Sequence, residues 1–139
     1  MEIIKNYING KVECISSNML TVHDPSKGEE IAKVVLSSSD DFKAVINRSK
    51  KSQYEWSQTT PLKRSRILSN YKTLIEKNIE NLAKIISQEH GKTLDDAKGS
   101  VTRGLEVVEF SCGIPHLLKG EFSHNVGTNI DSWSIRQPL

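Results

Sequence analysis

Cysteine is nearly absent from this chain: Cys14 and Cys112 are the only two in 139 residues, far apart and without C-x-x-C spacing. That excludes a disulfide framework and a cysteine-based zinc site, and it fits a reducing compartment. Long hydrophobic runs are missing too. No stretch approaches the roughly 20 apolar residues of a spanning helix, and the opening "MEIIKNYING" is too polar for a secretory leader. A cytoplasmic protein with no membrane partner is expected. Neither sign of charge dominates, since 19 Lys and Arg against 17 Asp and Glu leave a net charge of +2, too weak a field to recruit nucleic acid. The basic clusters "RSKK" and "KRSR" are interleaved with serines and read as solvated helix faces. His23, His90, His116 and His124 lie scattered with no i,i+4 pair, so no metal ligand set is expected. There is no G-x-G-x-x-G either. Gly99, Gly104 and Gly113 fall inside helical patterns instead of following a strand, which argues against a phosphate cradle.

What is present begins as β. Ile3, Ile4, Tyr7 and Ile8 lead into Asn9-Gly10, the dipeptide that supplies two positive φ values for a tight hairpin, and Lys11-Val12 returns. A second hairpin reads from "MLTVHD" through a turn at "PSKGEE" to "IAKVVL". Ser37 and Ser38 each precede an aspartate by three residues, so a helix starts there with the stripe Phe42, Val45 and Ile46 and ends near Trp56. Thr60 caps a second helix with Pro61 at its first position. Its stripe of Ile67, Leu68, Tyr71, Leu74 and Ile75 continues through Leu82, Ile85 and Ile86, with Asn78 as the point where it divides. Gly91 stops that helix, and Thr93 with Asp96 starts the next. Leu94, Ala97, Val101, Leu105, Val108 and Cys112 then recur every three or four residues as one buried face. After the interruption at Gly113 and Pro115, "DSWSIRQ" alternates Trp133 and Ile135 with polar neighbours, as a half-exposed strand does. No partner strand is apparent for it. The ending Pro138-Leu139 has no polar tail, which leads to the expectation of a chain cut rather than finished.

Candidates for chemistry are few. Cys112 sits on the apolar stripe, where a free cysteine is core filler and an apolar setting suppresses the thiolate. Asp95-Asp96 reads as a helix cap, and Glu106 with Glu109 as a solvated face. Arg103 is the exception. It points away from the stripe, flanked by Gly99 and Gly104, and each glycine costs about 1 kcal/mol relative to alanine in a helix interior. Something should approach closely there, either another helix or a ligand.

"NYINGK", "DPSKGEEIAKV", "PLKRSRIL", "EHGKTLDDAKGSVTRGLEVVEF" and above all "CGIPHLLKGE" resemble the aldehyde dehydrogenase superfamily. Glu89 to Glu121 is the part most similar to its CoA-acylating methylmalonate-semialdehyde (malonate-semialdehyde) branch. The resemblance implies an α/β fold: the amino-terminal part of an NAD-binding, Rossmann-like domain, with two β-hairpins, three to four helices and a strand of the oligomerisation arm. It divides the chain into residues 1–120, hairpins and helices of that domain, and residues 121–139, the arm strand and lead-in to the nucleotide-binding sheet. For the intact enzyme it implies NAD and CoA as cofactors, a semialdehyde substrate and a homo-oligomer, dimer or tetramer. The catalytic cysteine, glutamate and asparagine of such an enzyme lie beyond Leu139, so this chain alone is expected to hold no cofactor and to be inactive. Arg103, in "TRGLEVVEF", matches the helix arginine that recognises the substrate carboxylate. A rival expectation is a non-catalytic assembly module that associates with a dehydrogenase subunit.

Overall fold

Asn9 and Gly10 take φ values of +53° and +73°, the left-handed pair that a two-residue hairpin turn demands, and they join β2 (Asn6–Ile8) to β3 (Lys11–Glu13) in antiparallel register. The computed structural model that supplies these geometries describes residues 1–137, so Pro138-Leu139 and the expectation attached to them lie outside the described residues. Ile3 and Ile4 do not belong to that hairpin. They form β1 (Glu2–Ile4), which pairs in parallel with β5 (Glu30–Val35), while β4 (Met19–His23) pairs antiparallel with β5 on its other edge. A three-stranded sheet of order β1-β5-β4 results. The turn between β4 and β5 is built by Asp24, whose carboxylate accepts from the Ser26 amide at 2.8 Å and whose carbonyl accepts from the Gly28 amide at 2.7 Å. Gly28 supplies the positive φ, +73°.

Five helices follow: α1 (Ser39–Ser57), α2 (Pro61–Lys77), α3 (Ile79–His90), α4 (Leu94–Ser111) and a single-turn α5 (Ile114–Leu117). The expected cap of α2 is in place, with Thr60 Oγ1 accepting from the Lys63 amide at 3.4 Å. Asn78 stands at the division between α2 and α3, but as the C-cap of α2, its side-chain amide donating to the Leu74 carbonyl at 2.8 Å, where the sequence suggests an N-cap for the next helix. The end of the described chain is a hairpin, β6 (Phe122–Gly127) with β7 (Ile130–Trp133). The expectation of a half-exposed strand without a partner is thereby corrected. Trp133 is 68% exposed, Ile135 lies past the strand, and left-handed Asn125 and Asn129 shape the turn.

Packing groups the chain into two units, one of Met1–Trp56 with Ile79–Val101, the other of Ser57–Asn78 with the residues from Thr102 onward. The buried apolar residues, Ala32, Val35, Ala83, Ala97 and Val101, all belong to the first and are all small. Many of the large side chains on the expected stripes stay exposed, including Phe42, Ile67, Tyr71, Leu74, Ile85 and Leu94, while Leu68, Ile75, Leu82, Ile86 and Leu105 are half-buried.

Asp41 holds the first unit together where apolar burial is thin. Only 2% exposed, its carboxylate accepts from the amides of Ile15 at 2.6 Å, Ser16 at 3.1 Å and Ser38 at 2.8 Å, and from the Ser38 hydroxyl at 2.7 Å. The Ser38 hydroxyl accepts from the Asp41 amide in return, a capping box with aspartate as the reciprocal acid. One side chain thus starts α1 and pins the loop after β3 to it. These donors favour the ionised form, the Ile15 amide most of all, and lower its pKa from 3.8 to about 2. A depressed carboxylate pKa contributes stability that is present above the unfolded value and lost as pH falls through the folded one. Urea midpoints should therefore hold steady above pH 4 and fall between pH 4 and about 2. Asp41→Asn, which turns a donor toward a cluster of donors, should lower the melting temperature by about 5 °C or more and flatten that limb, while exposed Asp40→Asn should do neither.

Candidate functional site

The helix that carries Arg103 is fixed at its start by residues the sequence already marks. Gly91, at φ +74°, closes α3 by donating to the Ser87 carbonyl at 2.8 Å. A Cβ built there would stand 2.9 Å from the ring of Pro25, so the position requires glycine on two counts. Thr93 Oγ1 then accepts from the Asp96 amide at 3.3 Å, and Asp95 and Asp96 place negative charge at the positive end of α4. Lys92 completes the junction. Its ammonium lies 2.8 Å from the Asp96 carboxylate and 2.9 Å from the Ser100 hydroxyl, and its carbonyl accepts from Ser87 Oγ at 2.7 Å. Ala97 and Val101 are buried beneath this turn.

The later turns of α4, in the second unit, are tied to α2. Ser65 Oγ donates to the Cys112 carbonyl at 2.7 Å, and Lys72 Nζ meets the Glu109 carboxylate at 2.7 Å. The Glu109 hydrogen bond raises the Lys72 pKa above its ordinary value. Cys112 itself is half-buried, its thiol directed at the Val108 carbonyl at 3.4 Å.

Arg103 faces outward, exposed. Gly104 beside it is open: a Cβ built there meets nothing within 4 Å. Val107 and Phe110, 65% and 69% exposed, continue the same face at i+4 and i+7. A guanidinium at one end, bare backbone beside it and an apolar strip beyond can receive an anion with a short apolar body. The sequence reading singles out Arg103 alone. Val107 and Phe110 lie off the buried stripe and line up only when the helix is counted from Arg103, so no pattern of their own marks them in the sequence.

The other candidates separate. Among the described residues no group of three or more His, Cys, Asp and Glu could hold a metal ion. His124 Nδ1 lies 2.8 Å from the Asp131 carboxylate at the β6–β7 hairpin, while His23, His90 and His116 are exposed on different elements. Asp96 and Glu109 serve as ion-pair partners, and Arg48 pairs with Glu13. In "KRSR" the solvated-face reading is corrected for Arg64. That residue is half-buried and donates to the Thr59 carbonyl at 2.9 Å and the Ser57 carbonyl at 3.0 Å, closing the connection before α2.

Residues 12–139 match the model of the aldehyde dehydrogenase family. Malonate-semialdehyde dehydrogenase of Pseudomonas aeruginosa is 42% identical over 139 residues, covering 100% of this chain and 28% of its own. The mitochondrial, acylating methylmalonate-semialdehyde dehydrogenase of Arabidopsis thaliana is 40% identical over 137 residues, 98% of this chain and 23% of its own. A Sinorhizobium meliloti structure solved in complex with NAD superposes with a TM-score of 0.95 at 41% identity, over 100% of this chain and 28% of that one. The chain thus spans about a quarter of the length of the relatives it matches.

The tie between α2 and α4 can be tested by comparing two serines. Ser65→Ala removes a bond between helices and should cost about 1 kcal/mol in urea unfolding. Ser69→Ala, whose hydroxyl only returns to the Ser65 carbonyl of its own helix, should change stability by less than half of that.

Proposed function

This chain belongs to the aldehyde dehydrogenase family, and from that premise we propose that it forms the amino-terminal part of an NAD-dependent, CoA-acylating methylmalonate- or malonate-semialdehyde dehydrogenase. The reaction converts semialdehyde, CoA and NAD⁺ to propanoyl-CoA or acetyl-CoA, CO₂ and NADH. The aldehyde carbon loses a hydride to the nicotinamide, its acyl group passes to the CoA thiol, and the substrate carboxylate leaves as CO₂. The names of the relatives and the continuous match through "CGIPHLLKGE" support this reading.

The observation that carries the substrate class is the outward face of α4. Methylmalonate and malonate semialdehydes pair a carboxylate with a one- or two-carbon body. Arg103 offers the planar, two-pronged donor that a carboxylate takes and a lysine would not replace. Open Gly104 lets the ligand approach the backbone, and Val107 and Phe110 cover its carbon. What this chain supplies is carboxylate recognition, with the nucleophilic cysteine, the glutamate and the asparagine contributed from beyond residue 139. The enzyme works in the cytosol as a homo-oligomer, for which the β6–β7 hairpin offers exposed Phe122, Val126, Ile130 and Trp133.

In a full-length dehydrogenase carrying this segment, Arg103→Ala should raise KM for the semialdehyde by about fiftyfold to a hundredfold, the worth of a charge-assisted bidentate pair. KM for propanal should change less than twofold. Equal effects on both aldehydes would defeat the assignment. The 139-residue chain alone should form no NADH with semialdehyde, CoA and NAD⁺. Should it instead assemble with a full-length subunit and change that subunit's rate, the assembly-module reading would take precedence.

A further inference from the structure

We infer that Lys92 is a positioning residue for substrate recognition, bracing α4 across Gly99 so that Arg103 stands where the carboxylate arrives. This rests on the reading of Arg103 given above. The ammonium of Lys92 reaches Asp96 Oδ2 at 2.8 Å and Ser100 Oγ at 2.9 Å, two side chains one helical turn apart. Gly99 lies between them. A glycine in a helix interior leaves the backbone the most freedom to open, and here it stands four residues before Arg103. One ammonium thus ties together the residues that flank Gly99 along the helix.

Ser100 and Arg103 are three residues apart, so they share a face of α4, and the brace ends one turn before the guanidinium. Ser100 Oγ also donates to the Asp96 carbonyl at 3.3 Å, which keeps the hydroxyl oriented to accept from Lys92. Lys92 is itself held. Its side chain is only 18% exposed, and its carbonyl is fixed by Ser87 Oγ. An anchor on the α3–α4 junction thus sets the first turns of α4, and a displacement of about 1 Å at a recognising group is enough to weaken substrate binding severely. Lys92 touches no substrate.

The test uses a full-length dehydrogenase carrying this segment, with methylmalonate semialdehyde and propanal compared side by side. Lys92→Met, which keeps the stem and removes both contacts, should raise KM for the semialdehyde about tenfold while leaving propanal kinetics within twofold. Ser100→Ala, which removes one arm and leaves the lysine folded over Asp96, should give about threefold on the same substrate only. Lys92→Arg should recover most of the loss. Unchanged semialdehyde KM in Lys92→Met or in Ser100→Ala overturns the inference, as does an equal loss with both aldehydes, which marks a role in general stability. If Lys92→Met yields no folded enzyme, Ser100→Ala decides by the same criterion. Arg103→Ala run in parallel separates the two claims. Should it be selective while the Lys92 and Ser100 variants are not, only the brace fails; should it be unselective, the substrate assignment fails first.

Discussion

Gly99 and Gly104 each withdraw about 1 kcal/mol of helix propensity from α4, and α4 nevertheless runs unbroken over eighteen residues. Its continuity has to come from its ends. At the start, Gly91, Thr93 and the Lys92 bridge specify where the helix begins and how its first turns lie. At the finish, Ser65 takes the Cys112 carbonyl and Lys72 takes Glu109. Gly104 leaves the surface beside Arg103 open, and the anchored ends make the loss of helix propensity tolerable. The proposed recognition at Arg103 depends on this division of labour along one helix.

The same economy governs the rest of the first unit. Its buried apolar residues are alanines and valines, which bury little area each, so polar specification carries an unusual share of the structure. Asp41 joins the start of α1 to the loop after β3, and Asp24 folds the β4–β5 turn on itself. In the second unit Gly120 plays the steric counterpart. A Cβ at Gly120 would collide with the Ser134 carbonyl, and the neighbouring Glu121 exchanges hydrogen bonds with Ser134 through its amide and carbonyl. The glycine of "LLKGE" is thus a requirement of close backbone approach.

Local chemistry was legible where it is self-contained. Asn9-Gly10, Thr60-Pro61, Asn78, Gly91 and Thr93 each encode a turn or cap within four residues, and each stands where it was read. Pairing at a distance was not legible. Nothing in Ile3-Ile4 says that β1 would find β5 across nearly thirty residues, and the left-handed asparagines of the β6–β7 turn give a weaker signal than Asn-Gly. The apolar stripes were read correctly as periodic and too readily as buried, because periodicity reports a face and says nothing of what covers it. On the surface proposed for α4, the flanking glycines mark Arg103 as a place of close approach by a helix or a ligand, and only the family resemblance points to a carboxylate. The Lys92 contacts have no signature in the sequence, because a lysine after a helix stop is ordinary; its two distances come from the structure alone.

In the proposed function, Arg103, the open backbone at Gly104 and the exposed Val107 and Phe110 act as one surface for a short carboxylated aldehyde. A crystal structure of a full-length dehydrogenase bearing this segment, with malonate as a non-reactive stand-in for the semialdehyde, tests that surface most directly. The account predicts one malonate carboxylate paired to the Arg103 guanidinium by two parallel hydrogen bonds of about 2.7–2.9 Å, with the methylene against Val107 or Phe110. Malonate held by other residues, with Arg103 turned away from it, would contradict the account.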